Sequence, residues 1–158
     1  MRSLVFSDSH EDTESMESVI KRFYPDMVLH LGDCIDDILE LEKAFPDINF
    51  SYVRGNVDCI GEIEKVQQLE QVPVFMTHGD KYYLEDKEAL LNTAMDLSVK
   101  IVLYGHTHSP VLYVKNGIVF LNPGTISRLY DFRTFGLIDV FDDEYSCEIL
   151  FADRYVKL

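Results

Sequence analysis

Basic residues are scarce in this chain, which sets 14 Lys and Arg against 28 Asp and Glu for a formal net charge of −14. Binding a phosphate backbone takes clustered Lys and Arg that displace counterions, so long nucleic acid is excluded as a partner. The same acidity disfavours anionic membrane surfaces. Cysteine is also rare: Cys34, Cys59 and Cys147 are an odd number without C-x-x-C spacing, which fits reduced thiols better than a disulfide framework. No run approaches the roughly 18 apolar residues needed to cross a bilayer. The opening MRSLVFSDSH has one Arg and turns polar too soon for a secretion signal, so a cytoplasmic protein is expected. Low-complexity tracts, Pro- or Ser-rich linkers and internal repeats are missing too. The 158 residues are expected to form a single domain, residues 1–158, long enough to bury roughly 70% of the unfolded surface.

What is present is an alternation of short apolar runs and helical periodicity. Residues 2–6 (RSLVF) and 27–31 (MVLHL) read as strands, and between them Met16, Val19, Ile20 and Phe23 recur at helical spacing. A helix is predicted over 37–44 and a strand over 49–53, with Pro46 marking the turn; then a strand over 72–77, a helix over 86–97 and a strand over 100–104. After that the pattern changes to hairpins, with Asn116-Gly117 as a strong two-residue turn and Asp142-Asp143-Glu144 as a longer one. A βαβ half passing into hairpins predicts an α/β fold, an αββα sandwich of two mixed β-sheets flanked by helices.

Polar residues with metal-binding chemistry follow the apolar runs in order: Asp8, His10, Asp33, Asn56, His78, His106 and His108, in LVFSDSH, MVLHLGD, FSYVRGN, VFMTHG and IVLYGHTH. Four of the five histidines fall in this series. Ligands of open α/β sheets gather at the carboxyl ends of strands, so the segments are expected to converge. A set of Asp, His and Asn without Cys suits borderline to fairly hard divalent cations. Asp8 and His10, and likewise His106 and His108, are two apart and share a face if their segments are extended. Asp33, after Gly32, is the candidate bridging carboxylate, and two cations about 3.5–4 Å apart hold a hydroxide for in-line attack on phosphorus.

The ordered set D-x-H, G-D, G-N-x-D, H-G and G-H-T-H resembles the calcineurin-like metallophosphoesterase superfamily, and the GNVD and NPGT strings look most like its small YfcE-type phosphodiesterases. The resemblance runs from residue 1 to about residue 127. It implies that Asp8, His10, Asp33 and His108 bind one metal, and that Asp33, Asn56, His78 and His106 bind the other. Asn56 also touches the substrate phosphate, with Asn56, Asp33 and His106 as the catalytic set. The cofactors implied are two divalent ions, manganese foremost, with nickel, iron, zinc or cobalt accepted. The substrate implied is a small phosphodiester, nucleotide-derived diesters included, and relatives often form homo-oligomers, dimers or tetramers.

Two departures from the wider superfamily are visible. Val57 stands after Asn56 where most of its phosphatases carry a histidine acid; the YfcE-type proteins generally lack it too. General acid catalysis is typically worth about 10²–10⁴-fold, so good leaving groups such as nitrophenols are favoured. Asp80 makes an HGD string where relatives show HGH, which penalises a dianionic monoester more than a monoanionic diester. Other residues read more plainly. His30 reads as structural or as a support behind the ligands, Asp36 and Asp37 as helix caps with support of the ligands as the alternative, and Asn122-Pro123-Gly124-Thr125 as a turn that the resemblance sets beside the metals. Arg128 and Arg133 either meet a substrate anion, with Arg128 the substrate-binding candidate, or solvate an acidic surface. Tyr130 and Phe132 either stack on a nucleobase or form a dimer contact. Two other functions compete with a phosphodiesterase: an interaction scaffold on the same fold, as in the small subunit of the retromer complex, and a phosphomonoesterase.

Overall fold

The computed structural model describes residues 1–82, 88–142 and 144–156. The strands are β1 (Arg2–Phe6), β2 (Met27–His30), β3 (Asn49–Tyr52), β4 (Glu64–Leu69), β5 (Val72–Thr77), β6 (Ile101–Leu103), β7 (Val111–Lys115), β8 (Ile118–Asn122), β9 (Thr134–Phe141) and β10 (Glu144–Phe151). The helices are α1 (Thr13–Phe23), α2 (Ile35–Ala44) and α3 (Glu88–Asp96). One sheet runs β10-β9-β1-β2-β3 and the other β4-β5-β6-β8-β7. Both are mixed: β1, β2 and β3 are parallel, as are β5, β6 and β8, while β9, β10, β4 and β7 pair antiparallel at the flanks. This is the two-sheet, helix-flanked sandwich that the alternating pattern predicts.

Strand alternation explains the layers. On β1, Leu4 and Phe6 face α1 and α2 with Met16, Ile20, Ile35 and Ile38, while Val5 faces inward. On β5, Val74 and Met76 face inward and Phe75 meets Leu90, Leu91 and Ala94 of α3. Between the sheets lie Leu29, Leu31, Ile101, Leu103, Leu121 and Ile138. Asp12 starts α1 by accepting from the Ser15 N–H at 3.1 Å.

The differences from the sequence reading are local. Strand β4 was not expected, because EKVQQL has only two apolar residues; it forms as a sheet edge paired with β5. Helix α2 starts at Ile35, two residues before the expected 37. The predicted start of the third helix at residues 86–87, and Asp143 of the last hairpin turn, lie outside the described residues. No helix of the described residues is long and apolar enough to cross a membrane.

Candidate metal centre

Parallel strands β1, β2, β3, β5 and β6 all deliver their carboxyl ends to one side of the molecule, and each is followed within a few residues by members of the polar series. Ligand oxygens and nitrogens of Asp8, His10, Asp33 and His108 lie within 4.8 Å of one another. Asp33 Oδ1 is also 3.6 Å from His78 Nε2, which lies 3.1 Å from Asn56 Oδ1. The His106 ring packs edge-on against His78 at 5.1 Å, and His10 against His108 at 5.2 Å. All seven side chains therefore face one hollow, with Asp33 common to both halves.

The pairs reach it by a route other than the one expected. Asp8, His10, Asp33, His106 and His108 have φ of 53°, 45°, 60°, 68° and 56°, in the left-handed region, so neither the D-x-H nor the H-T-H segment is extended. Residues other than Gly pay for this conformation unless their surroundings fix it. The fixing contacts are explicit. Asp8 Oδ2 accepts from Ser7 Oγ at 2.5 Å and from the His106 N–H at 3.2 Å. The Thr125 hydroxyl donates to the Asp8 carbonyl at 2.7 Å, and Asn122 Nδ2 to the carbonyl of Gly105 at 2.8 Å and to Thr107 Oγ1 at 3.0 Å. The NPGT turn thus supports both loops. Gly55 and Gly105 are required by close approach, since a Cβ there would lie 2.1 Å from Asp33 Oδ1 and 2.0 Å from Ser7 Oγ.

The donor set fits divalent cations. Asp8 Oδ1 and His10 Nε2 are buried and have no hydrogen-bond partner among the described residues. Although Asp8 Oδ1 is 3.1 Å from His108 Nε2, the contact lacks hydrogen-bond geometry, so the two atoms stand side by side as donors to a third. In the other half, His78 Nδ1 faces the Leu31 carbonyl at 2.8 Å, which puts its proton there and leaves the Nε2 lone pair facing Asn56 Oδ1 and Asp33 Oδ1. Two further ligand atoms thus lie within 3.6 Å of His78 Nε2, a set that fits a divalent cation.

A match to the calcineurin-like phosphoesterase superfamily domain spans residues 1–143. The chain belongs to that superfamily. A probable metallophosphoesterase of Bacillus subtilis is 31% identical over 134 residues, covering 80% of this chain and 75% of its own. The phosphodiesterase YfcE of Escherichia coli is 33% identical over 87 residues, covering 48% of this chain and 43% of its own. Among solved structures, a conserved uncharacterized protein of Streptococcus pneumoniae TIGR4, a "predicted phosphoesterase", superposes with a TM-score of 0.79 at 26% identity, covering 99% of this chain and 92% of that one. Members of the superfamily use divalent metals, and Asp8, His10, Asp33 and His108 form a group that could hold such an ion.

Two carboxylates around the superfamily site, Asp58 of the G-N-x-D string and Asp37, make more contacts than their sequence positions foretell. Asp58 Oδ2 accepts from the N–H groups of Asp33 (2.8 Å) and Gly55 (2.7 Å), and Oδ1 from those of Cys34 and Ile35 (2.9 Å each). It caps α2 from a distant loop, and Cys34 at the N-cap position supplies no side-chain bond. Burial alone would push Asp58 up, but these four donors hold its carboxyl below the usual range. Asp37, expected as a cap, instead accepts from Ser9 Oγ at 2.7 Å and the Glu11 N–H at 2.9 Å. Burial raises its carboxyl, and those two bonds pull it back in part. His30 is fully buried, which pushes its imidazole down to about 4 and keeps it neutral.

Arg128 does not point a free guanidinium at the hollow. It reaches Asp12 Oδ1 and Glu14 Oε2, each at 3.2 Å. Arg133 pairs with Asp153 and donates to Ser15 Oγ. Tyr130 stands edge-on to the His108 ring at 4.8 Å, so it borders the site, while Phe132 is exposed. Val57 is 57% exposed and its N–H donates to Asp33 Oδ1 at 3.2 Å, so an inert side chain flanks the shared carboxylate.

Proposed function

We propose that this superfamily member is a metal-dependent phosphodiesterase acting on small phosphodiesters, nucleotide-derived diesters among them. The observation that carries the reading is the convergence of ligand atoms at the strand ends: Asp8 Oδ1 and His10 Nε2, buried without partners among the described residues, in one half, and His78 Nε2, 3.1 Å from Asn56 Oδ1, in the other. Asp8, His10, Asp33 and His108 would hold one ion, and Asp33, Asn56, His78 and His106 the other, with manganese the leading metal and nickel, iron, zinc or cobalt able to replace it. Bound there, two divalent ions supply an activated water and neutralise the charge that develops as phosphorus is attacked in line.

The chain's own residues do the rest. Asn56, exposed at the mouth, orients a phosphate oxygen through its amide. Val57 offers no proton to the leaving oxygen, so esters of acidic alcohols are cleaved fastest. Asp80 follows Gly79 at the end of the H-G segment, and its charge disfavours a dianionic monoester over a monoanionic diester. Metal-stripped protein titrated with manganese should hydrolyse bis-p-nitrophenyl phosphate faster than p-nitrophenyl phosphate, with His106→Ala as the blank. Faster monoester turnover would overturn the diester reading, and no turnover with any divalent metal would overturn the enzyme reading in favour of an interaction scaffold.

A further inference from the structure

Behind the metal-binding cluster runs a line of hydrogen bonds with one direction. The Gly32 N–H donates to His30 Nδ1 at 3.2 Å, so that nitrogen carries no proton and the ring proton sits on Nε2. His30 Nε2 is 3.2 Å from Ser9 Oγ, which it therefore faces as a donor. Ser9 Oγ passes its own proton to Asp37 Oδ2 at 2.7 Å, and the same carboxylate oxygen also takes the Glu11 N–H at 2.9 Å. All three side chains are buried, Ser9 and His30 fully and Asp37 to within 7%.

The line joins two loops that also meet where the Asp8 N–H donates to the Gly32 carbonyl at 3.0 Å and where Ser9 Oγ lies 3.4 Å from the Asp33 carbonyl. Ser9 lies between Asp8 and His10, and His30 and Gly32 lead into Asp33. Both loops carry left-handed residues, with φ of 53° at Asp8, 45° at His10, 69° at Glu11, 60° at Asp33 and 76° at Cys34. Left-handed backbone persists at such residues only when its surroundings over-determine it. We propose that Ser9, His30 and Asp37 are positioning residues that set the spacing between the Asp8–His10 loop and Asp33, and thereby the affinity of the cluster for a divalent cation. This rests on the reading of that cluster as a metal site.

The direction of the line makes the proposal specific. An amide at position 37 could still take both donors on its one oxygen, but an alkyl side chain there leaves Ser9 Oγ and the Glu11 N–H without their acceptor. Ser9 would then have only the Asp33 carbonyl, 3.4 Å away, to take its proton, since the His30 lone pair already serves Gly32. Groups that orient metal ligands from behind typically account for about 10- to 100-fold in metal affinity.

The test is titration of the metal-free full chain with Mn²⁺, followed by the electron paramagnetic resonance of free ion and by calorimetry. Ser9→Ala and Asp37→Ala should weaken the tighter Mn²⁺ site by about 10- to 100-fold. His30→Leu should do the same, whereas His30→Gln, whose amide can accept from Gly32 and donate to Ser9, should restore most of the affinity. Asp139→Asn breaks the paired contacts to Arg2 at the opposite end of β1, at 2.9 Å each, and serves as a control for stability loss alone. Unchanged affinity in Ser9→Ala and Asp37→Ala, or an equal loss in Asp139→Asn at matched melting temperature, would overturn the proposal. An unaltered chain that binds no Mn²⁺ would overturn the metal reading itself, and this proposal with it. Should Asp37→Ala fail to fold, Ser9→Ala and the His30 pair decide the matter.

Discussion

The two halves of the centre are built to different standards. Around Asp8, His10, Asp33 and His108 the carboxylates are buried, Asp8 fully and Asp33 to within 4%, and their loops are tied to Ser7, Thr125, Asp58 and the Ser9–His30–Asp37 line. In the other half only His78 is locked, fully buried and bonded to the Leu31 carbonyl, while Asn56 and His106 stand exposed. On the proposed reading, one half is preorganised for an ion, and the other keeps its exposed members where a substrate would enter. Rigid placement favours tight binding, and exposure favours exchange and access.

Removing the residue common to both halves should have the largest effect. Asp33→Asn is expected to lower bis-p-nitrophenyl phosphate turnover by on the order of 10³-fold, several kcal/mol of charge stabilisation. Turnover within tenfold of the unaltered chain would mean that the halves do not depend on a shared carboxylate. His106→Ala attacks the exposed half alone: about a 10²-fold loss of turnover is expected, with one Mn²⁺ per chain still bound tightly and the second lost in a calorimetric titration. Loss of both ions would erase the distinction between the halves.

The buried half should also show itself in acid. His30 is held at about 4 in the fold, against an ordinary value of 6.5. As pH falls below 6.5 the unfolded chain takes a proton that the folded chain refuses, so stability drops until the folded group also protonates near 4. That window is worth about 3 kcal/mol. Urea denaturation of metal-free protein at pH 7, 5.5 and 4.5 should show a slope that His30→Gln flattens; parallel slopes would place the acid sensitivity elsewhere. The smallest effect is expected at the rim. Arg128→Ala should change the diester KM by no more than about twofold, because its guanidinium already serves Asp12 and Glu14 and exposed ion pairs are worth little. A tenfold rise in KM would show that Arg128 leaves those partners for the substrate.

The strand ends and the polar series were legible because each ligand segment leaves an apolar run, and a run of that kind can only be buried strand. The sandwich followed from the same runs giving way to hairpins at Asn116-Gly117. Strand β4 was hidden because its outer face is Glu, Lys and Gln, and an edge strand is defined by a neighbour rather than by its own pattern. The left-handed backbone of Asp8, His10, His106 and His108 was hidden because positive φ is uncommon even for Asp and His, which visit it more often than other non-glycine residues. Asp37 and Asp58 were misjudged or passed over for one reason: their partners are remote in sequence, and local capping rules see only the nearest helix end.

The Asp58 carboxylate, which gathers four main-chain N–H groups from residues 33–35 and 55, bears on how this protein can be re-engineered. The 54–60 loop looks like a free parameter for leaving-group choice, because Val57 and Ile60 project from it into solvent. Yet the same loop carries the cap of α2, so a transplanted loop without an acid at position 58 would unravel the first turn of that helix and loosen Asp33 with it. Swaps between relatives should therefore succeed only when the 33–35 and 54–58 segments travel together, as a single cassette split across the chain.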